Sequence, residues 1–211
     1  MTQRHALIGL TILLALVGLG ELGRGAWIHV KARLAQHLLQ RAWARTVRGV
    51  DRARPWPWAD TWPVARLRVP AHGVDLIVLS GVSGRTLAFG PGHAPDSAAP
   101  GTPGTAIVTG HRDTHFRFLE RVKPGDEVLV ELPGGRPTRL TVEATSVVDS
   151  RTAVIRSEDR AAGLILITCY PFDAVVPGGP LRYVVTARSG GGCSARRQPS
   201  RGWAPPAEAR L

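Results

Sequence analysis

Between Val64 and Ala187 the chain breaks into short β-rich runs separated by turns, and no other feature restricts the fold as strongly. Residues 64–69 read Val-Ala-Arg-Leu-Arg-Val, with Val64, Leu67 and Val69 apolar, and residues 74–79 form a mostly apolar run after the turn at His72-Gly73. Further runs occupy 105–109, 127–132, 138–148, 164–168 and 181–187. The 24 glycines and 17 prolines supply the intervening turns. Helical patterns are confined to 116–122 and, more weakly, 157–162. Seven such runs with few helices predict a mostly-β domain, closed or nearly closed into a barrel.

The segment before the barrel reads differently. Residues 6–20 are an uncharged apolar run preceded by Arg4. As a helix this run spans about 22 Å, and extending it to Gly23 gives about 27 Å, close to a hydrocarbon core of roughly 30 Å. No Ala-x-Ala cleavage site follows, so a retained membrane anchor over 1–25 is the expectation. Trp27, Val30, Leu34, Leu38 and Ala42 recur at helical spacing and predict an amphipathic stalk over 26–54. Such a stalk lies against a bilayer or against the folded domain. Pro55-Trp56-Pro57-Trp58 stops any helix and marks the domain boundary. Trp56, Trp58 and Trp62 either cap a groove or seal one end of the barrel, with sealing the favoured reading. Residues 90–104 read as a surface connector. From Ser189 onward the Gly, Ser, Arg and Pro content has no apolar period and predicts a disordered tail over 189–211.

The net charge of +11 has an uneven distribution. Residues 1–54 hold nine basic and two acidic side chains, and residues 189–211 hold four and one, so residues 55–188 are nearly neutral. Nucleic-acid binding needs its charge on a folded face, so no nucleic acid is expected as a partner.

Three residues carry candidate chemistry. Cys169 stands where the apolar run Leu164-Ile165-Leu166-Ile167-Thr168 opens into the Pro/Gly-rich loop 170–180. A cysteine so placed is commonly a small core residue, but a strand end is also a rigid mount for a nucleophile. His111 follows the run 105–109 within Gly110-His111-Arg112-Asp113-Thr114-His115, where an imidazole can serve as general acid or base. The His111/His115 spacing resembles a zinc-binding helix, but Arg112 stands where the glutamate of a zinc-protease motif belongs, so no metal is expected. Arg182 opens the last run and can hold a carbonyl oxygen as negative charge develops.

The order histidine, cysteine, arginine resembles the sortase family. Leu166-Ile167-Thr168-Cys169 is similar to the last four positions of its Thr-Leu-x-Thr-Cys motif, with Ile165 in place of the first threonine. Residues 110–116 (Gly-His-Arg-Asp-Thr-His-Phe) resemble the histidine segment of class D-like sortases, and residues 55–63 are similar to the proteobacterial class called GN. The resemblance implies an eight-stranded sortase-type β-barrel over 55–188 and a cysteine transpeptidase of peptidase-like, hydrolase-class chemistry. Cys169 would be the nucleophile, with His111 and Arg182 as its catalytic partners. The substrate would be a protein with a C-terminal Leu-Pro-x-Thr-Gly-like sorting signal, and the acyl group would pass to an amine acceptor or to water. Thr168, Tyr170, Pro171 and Phe172 are the candidate substrate-binding residues, within a specificity loop over 170–180. No cofactor is implied. The class resemblance places the protein in the inner membrane with its catalytic domain in the periplasm.

The competing reading is a membrane-tethered β-barrel binding or scaffold module in which Cys169 is structural. A Cys169–Cys193 disulfide would favour it by blocking the thiol. A different cysteine peptidase or an L,D-transpeptidase-like enzyme would place its cysteine in a Ser-x-Gly-Cys context, which neither cysteine has.

Overall fold

A computed structural model describes residues 2–153, 162–176 and 178–189. Helix α1 runs over Thr2–Val47 and is followed by strands β1 (Pro63–Val69) and β2 (Val74–Ser80). Next come the one-turn helix α2 (Gly84–Leu87), β3 (Gly92–His93), β4 (Gly104–Thr109), a 3₁₀ turn (Arg117–Arg121) and β5 (Glu127–Glu131). The described chain finishes with β6 (Thr138–Asp149), β7 (Ala162–Cys169) and β8 (Leu181–Arg188). These eight strands close into a barrel in the order β1-β2-β3-β4-β7-β8-β6-β5. Pairing is antiparallel except for β2 with β3 and β4 with β7.

Alternation decides which side chains enter the barrel. In β1, Ala65, Leu67 and Val69 are fully buried while the residues between them are half-buried. Leu164 and Leu166 of β7 and Val185 and Ala187 of β8 join Val108, Phe116, Leu119, Val128 and Leu140 in the same core. Each contributes through burial of apolar area, on the order of 1.5 to 3 kcal/mol for a large side chain.

Each expected run corresponds to a strand, with ends moved by one or two residues. The 116–122 helix is the short 3₁₀ turn. The eighth strand, β3, falls inside the segment expected to be a connector. Two residues are too few to show alternation, yet Gly92 and His93 pair with both β2 and β4 and bridge the gap between them. A Cβ on Gly92 would stand 2.2 Å from the carbonyl oxygen of Gly81, so this bridge admits only glycine there. Residues 157–161 of the expected second helix lie outside the described residues, and residue 162 already belongs to β7. The tail from residue 190, including Cys193, also lies outside them.

The strand β2 reads as mostly apolar because both its faces are covered. Leu76 and Val78 face the barrel core, while Ile77 and Leu79 meet Leu39 and Trp43 of α1, with Phe89 alongside. This contact corrects the expected stalk face. Ala35, Leu39, Ala42 and Trp43 form the buried stripe, whereas Val30 and Leu34 are 53% and 55% exposed. The two stripes lie side by side on the helix, and the apolar outer face of β2 selects between them. Gln36 Nε2 also donates to the Phe89 carbonyl at 2.9 Å. No helix among the described residues is long and apolar enough to cross a membrane. Helix α1 is continuous through the expected border between anchor and stalk, and Leu13, Leu14, Leu16, Val17 and Leu19 on its N-terminal half are exposed.

The tryptophans do not act together. Trp56 meets Phe89 edge to face at 4.7 Å, beside the α1 contact, and Trp58 is 83% exposed. Trp62 carries the Arg52 guanidinium over its ring at 5.1 Å, and its carbonyl accepts from Ser80 N. The expected sealing of a barrel end is therefore replaced by separate contacts around α1 and β2.

The docking of α1 through Leu39 can be measured. Leu39→Ala should destabilise the full chain by about 2 to 4 kcal/mol in urea denaturation, and Leu34→Ala by less than about 0.5 kcal/mol. Equal effects would mean that the buried stripe is misassigned.

Candidate active site

The site forms where β4 and β7 run out together. Their parallel register ends at Thr109 opposite Ile167, and Gly110 N then donates to the Ile167 carbonyl at 3.1 Å. The hydroxyl of Thr168, itself buried, donates back to the Gly110 carbonyl at 2.8 Å. These two bonds fix the start of the His111 loop against the end of the cysteine strand.

The loop then turns tightly. Phe116 N donates to the His111 carbonyl at 3.0 Å, and the Phe116 ring is fully buried in the core. A Cβ on Gly110 would meet that ring at 2.8 Å, so the close approach requires glycine. With Phe116 as its root, the loop leaves His111 exposed and turns Arg112 inward. His115 is half-buried; burial, and after it the neighbouring His111, hold its pKa below the usual histidine value, against the raising effect of the Phe89 backbone.

Cys169 is a half-buried free thiol at the last position of β7. Since Leu164, Leu166 and Thr168 face inward, Cys169 faces out of the barrel. Its antiparallel partner is Arg182 at the start of β8. Directly opposed residues project from the same face with Cβ atoms about 4.5 to 5.5 Å apart, so thiol and guanidinium share one patch of outer wall. Arg182 Nη1 donates to the carbonyls of Gly179 at 2.6 Å and Leu181 at 2.8 Å. Nearby Asp149 is engaged by Arg151 at 2.6 Å, a bond that, with smaller help from Arg182, pulls the Asp149 carboxyl down to about 2. That carboxylate is thus already engaged by Arg151.

His111, Arg112, Asp113 and Cys169 line one cavity of about 120 Å³ with Tyr170, Pro171, Ala174, Val176, Gly178 and Gly179. The structure brings His111 and Cys169 together there, and register places Arg182 beside the thiol, although Arg182 is not part of the cavity wall. Of the expected substrate-binding residues, Tyr170 and Pro171 line the cavity. Thr168 and Phe172 do not: both are buried, at 2% and 6% exposure. Thr168 faces inward because Cys169 faces outward, and Phe172 packs edge to face on Tyr183 at 5.1 Å. Their surroundings suit holding the strand end rather than touching a ligand. The loop's valines instead stand free, Val175 at 95% and Val176 at 78% exposure.

The residue that sequence reasoning passed over is Arg112. Its Nη1 donates to the Pro171 carbonyl at 2.5 Å and its Nη2 to the Ala174 carbonyl at 2.9 Å, while Nε reaches Asp113 at 2.9 Å. Arg117 Nη1 adds a bond to the Phe172 carbonyl at 2.8 Å. Arg112 of the histidine segment and Arg117 just after it therefore hold three carbonyls of the loop after Cys169. Among the described residues no group of three or more His, Cys, Asp or Glu side chains gathers to hold a metal ion.

Fold and site together define a class of protein: a closed β-barrel presenting a cysteine and an arginine on opposed strand ends, with a histidine loop beside them. Residues 67–189, more than half of the chain, match the family described as Sortase domain, and the chain belongs to the sortase family. It is 34% identical over 119 residues to Sortase D of Bacillus subtilis (strain 168), covering 56% of this chain and 60% of that relative. The chain thus spans about three fifths of the length of that curated relative, and the likeness agrees with the class D-like character of residues 110–116. Sortase A from Corynebacterium diphtheriae superposes with a TM-score of 0.56 at 29% identity, over 63% of this chain and 62% of that one. Sortase C-1 from Actinomyces oris gives 0.52 at 29% identity, over 60% and 74%. A Clostridium perfringens Sortase D5 transpeptidase, at 20% identity and a TM-score of 0.55 over 72% and 89%, shares the fold.

The Arg112–Asp113 pair gives the loop clamp a pH signature. Arg112 lowers the Asp113 carboxyl below its usual value. A group whose folded pKa is depressed contributes fully above its unfolded value, about 3.9 for aspartate, and loses that contribution as pH falls through the depressed one. Amide exchange at 172–174 should therefore be steady from neutral pH down to about pH 4 after correction for intrinsic rates, and accelerate below it. Asp113→Asn should remove that acid-induced step.

Proposed function

We propose that the chain is a cysteine transpeptidase acting on protein substrates that end in a Leu-Pro-x-Thr-Gly-like sorting signal. The observation that carries the reading is the pairing of Cys169 with Arg182 on one face of β7 and β8, with His111 lining the cavity that holds the thiol.

The proposed reaction has two halves. The Cys169 thiolate attacks the carbonyl carbon of the Thr–Gly bond, and the developing oxyanion is received by the Arg182 guanidinium, whose Nε and Nη2 lie beyond the Nη1 that serves the loop. As the C–N bond breaks, protonated His111 gives its proton to the departing amine, leaving a thioester on Sγ. An acceptor amine then attacks the thioester, passes a proton to His111 and releases the thiolate, which restores the starting state. Water in the acceptor's place gives hydrolysis. No cofactor enters either half. Arg182 suits its role because a guanidinium keeps its charge throughout, and because a removed oxyanion donor typically lowers kcat by about 10²- to 10³-fold.

In the same reading, the N-terminal part of α1 anchors the protein to the membrane and holds the barrel on the outer, periplasmic side. The uncharged run 6–20 and the exposed leucines there support this, as does the junction of that helix to a stretch docked on β2.

Incubating the full chain with Leu-Pro-x-Thr-Gly-like peptides should give an acyl adduct by intact mass. The adduct should be absent in Cys169→Ala and convert to ligated peptide when an amine is added, and Arg182→Ala should slow its formation about 10²-fold or more. Folded protein with a free Cys169 thiol that neither acylates nor cleaves any of the peptides would contradict the reading.

A further inference from the structure

The cavity wall contains a guanidinium that the proposed chemistry does not use, that of Arg112. Arg112 is only 7% exposed, and a buried cation is costly unless its donors are paired. Here the pairing is nearly complete and is spread over two segments far apart in sequence. Asp113 takes Nε, with a second contact from Nη2 at 3.3 Å, and the carbonyls of Pro171 and Ala174 take the two Nη groups. The fork thus spans the first turn of the loop that leaves Cys169, from a mount directly adjoining His111. Asp113 is 67% exposed and lines the same cavity as the guanidinium it pairs with.

We propose that Arg112 is a positioning residue: it fastens the loop 171–174 to the histidine segment and so sets where Cys169 stands relative to His111, while placing a fixed positive charge on the cavity that receives the thiolate. The proposal rests on the transpeptidase reading for its purpose but not for its test. Three observations converge on it. The carbonyls held lie two and five residues beyond the nucleophile, in the turn that its strand runs into. Arg117 repeats the device on the Phe172 carbonyl between them. Arg112 and Cys169 also line the same cavity. Lysine is not an equivalent here, because a single ammonium cannot bridge two carbonyls and a carboxylate in one plane.

Two readouts that need no peptide substrate separate the two parts of this role. The full chain carrying Cys193→Ser, so that only Cys169 reacts, is alkylated with iodoacetamide at neutral pH, and amide exchange is followed at 172–174. Arg112→Gln should slow alkylation by about threefold to tenfold and accelerate loop exchange. Arg112→Lys should restore alkylation to within about twofold of the parent while leaving the loop fast-exchanging. A folded Arg112→Gln with the parent's alkylation rate and loop exchange overturns the proposal. Should that variant not fold, a folded Arg112→Lys with parental loop exchange overturns it equally. Because neither readout involves peptide, a failure of the sorting-signal experiment leaves this result interpretable, and the reverse also holds.

Discussion

Everything at the site depends on the parallel pairing of β4 with β7. Six residue pairs, from Gly104 opposite Ala162 to Thr109 opposite Ile167, hold the two strands in one register. Both strands then end at the same height on the barrel. Parallel strands cannot be joined by a tight turn, so residues distant in sequence meet at their ends. Thr168 and Gly110 are 58 residues apart and share a hydrogen bond buried from water. A one-residue slip would turn Cys169 inward and Thr168 outward. The burial of Leu164 and Leu166 inside, with Ile165 against the outer wall, makes that slip expensive.

From that register the rest follows in layers. The antiparallel ladder of β7 with β8 sets Arg182 opposite Cys169. Phe116 roots the histidine turn in the core, and the contact of Gly110 with that ring keeps the turn close to the barrel. Arg112 and Arg117 then tie the loop beyond Cys169 to the same turn. A second set of contacts lies outside the barrel: the Phe89 carbonyl receives Gln36 Nε2 of α1. The N-terminal helix is thus tied to the Phe89 backbone, with Leu39 and Trp43 on Ile77 and Leu79 as its apolar footing.

Much of this was readable in the residues, and the gaps have physical causes. The barrel strands announced themselves because one buried face imposes an alternation that Leu67 and Val69 display in β1. Cys169, His111 and Arg182 stand out in the sequence because each lies at or just beyond the end of an apolar run, where a side chain is both rigidly mounted and reachable. Gly92 and His93 were not, since a two-residue bridge has no period. The wrong stripe on α1 arose because Leu34 and Leu39 belong to neighbouring faces and only the outer face of β2 distinguishes them. Arg112 was hidden for a different reason. An arginine reads as solvated until its partners are known, and the Pro171 carbonyl lies 59 residues away. The inward direction of Thr168 was available from the period of two once Cys169 is taken to face outward, whereas the burial of Phe172 needed the loop's path and the Tyr183 ring.

The central claim is that the shared face of β7 and β8 is where a peptide carbonyl meets both thiol and guanidinium. The most direct measurement is a crystal structure of the full chain reacted with a Leu-Pro-x-Thr-like peptide ending in a chloromethyl ketone. The account predicts a bond to Cys169 Sγ, the adduct's carbonyl oxygen within hydrogen-bond reach of the Arg182 guanidinium, and the His111 ring on the side from which the leaving group would depart. An adduct whose carbonyl oxygen points away from Arg182, with Arg182 still serving only the Gly179 and Leu181 carbonyls, would contradict it.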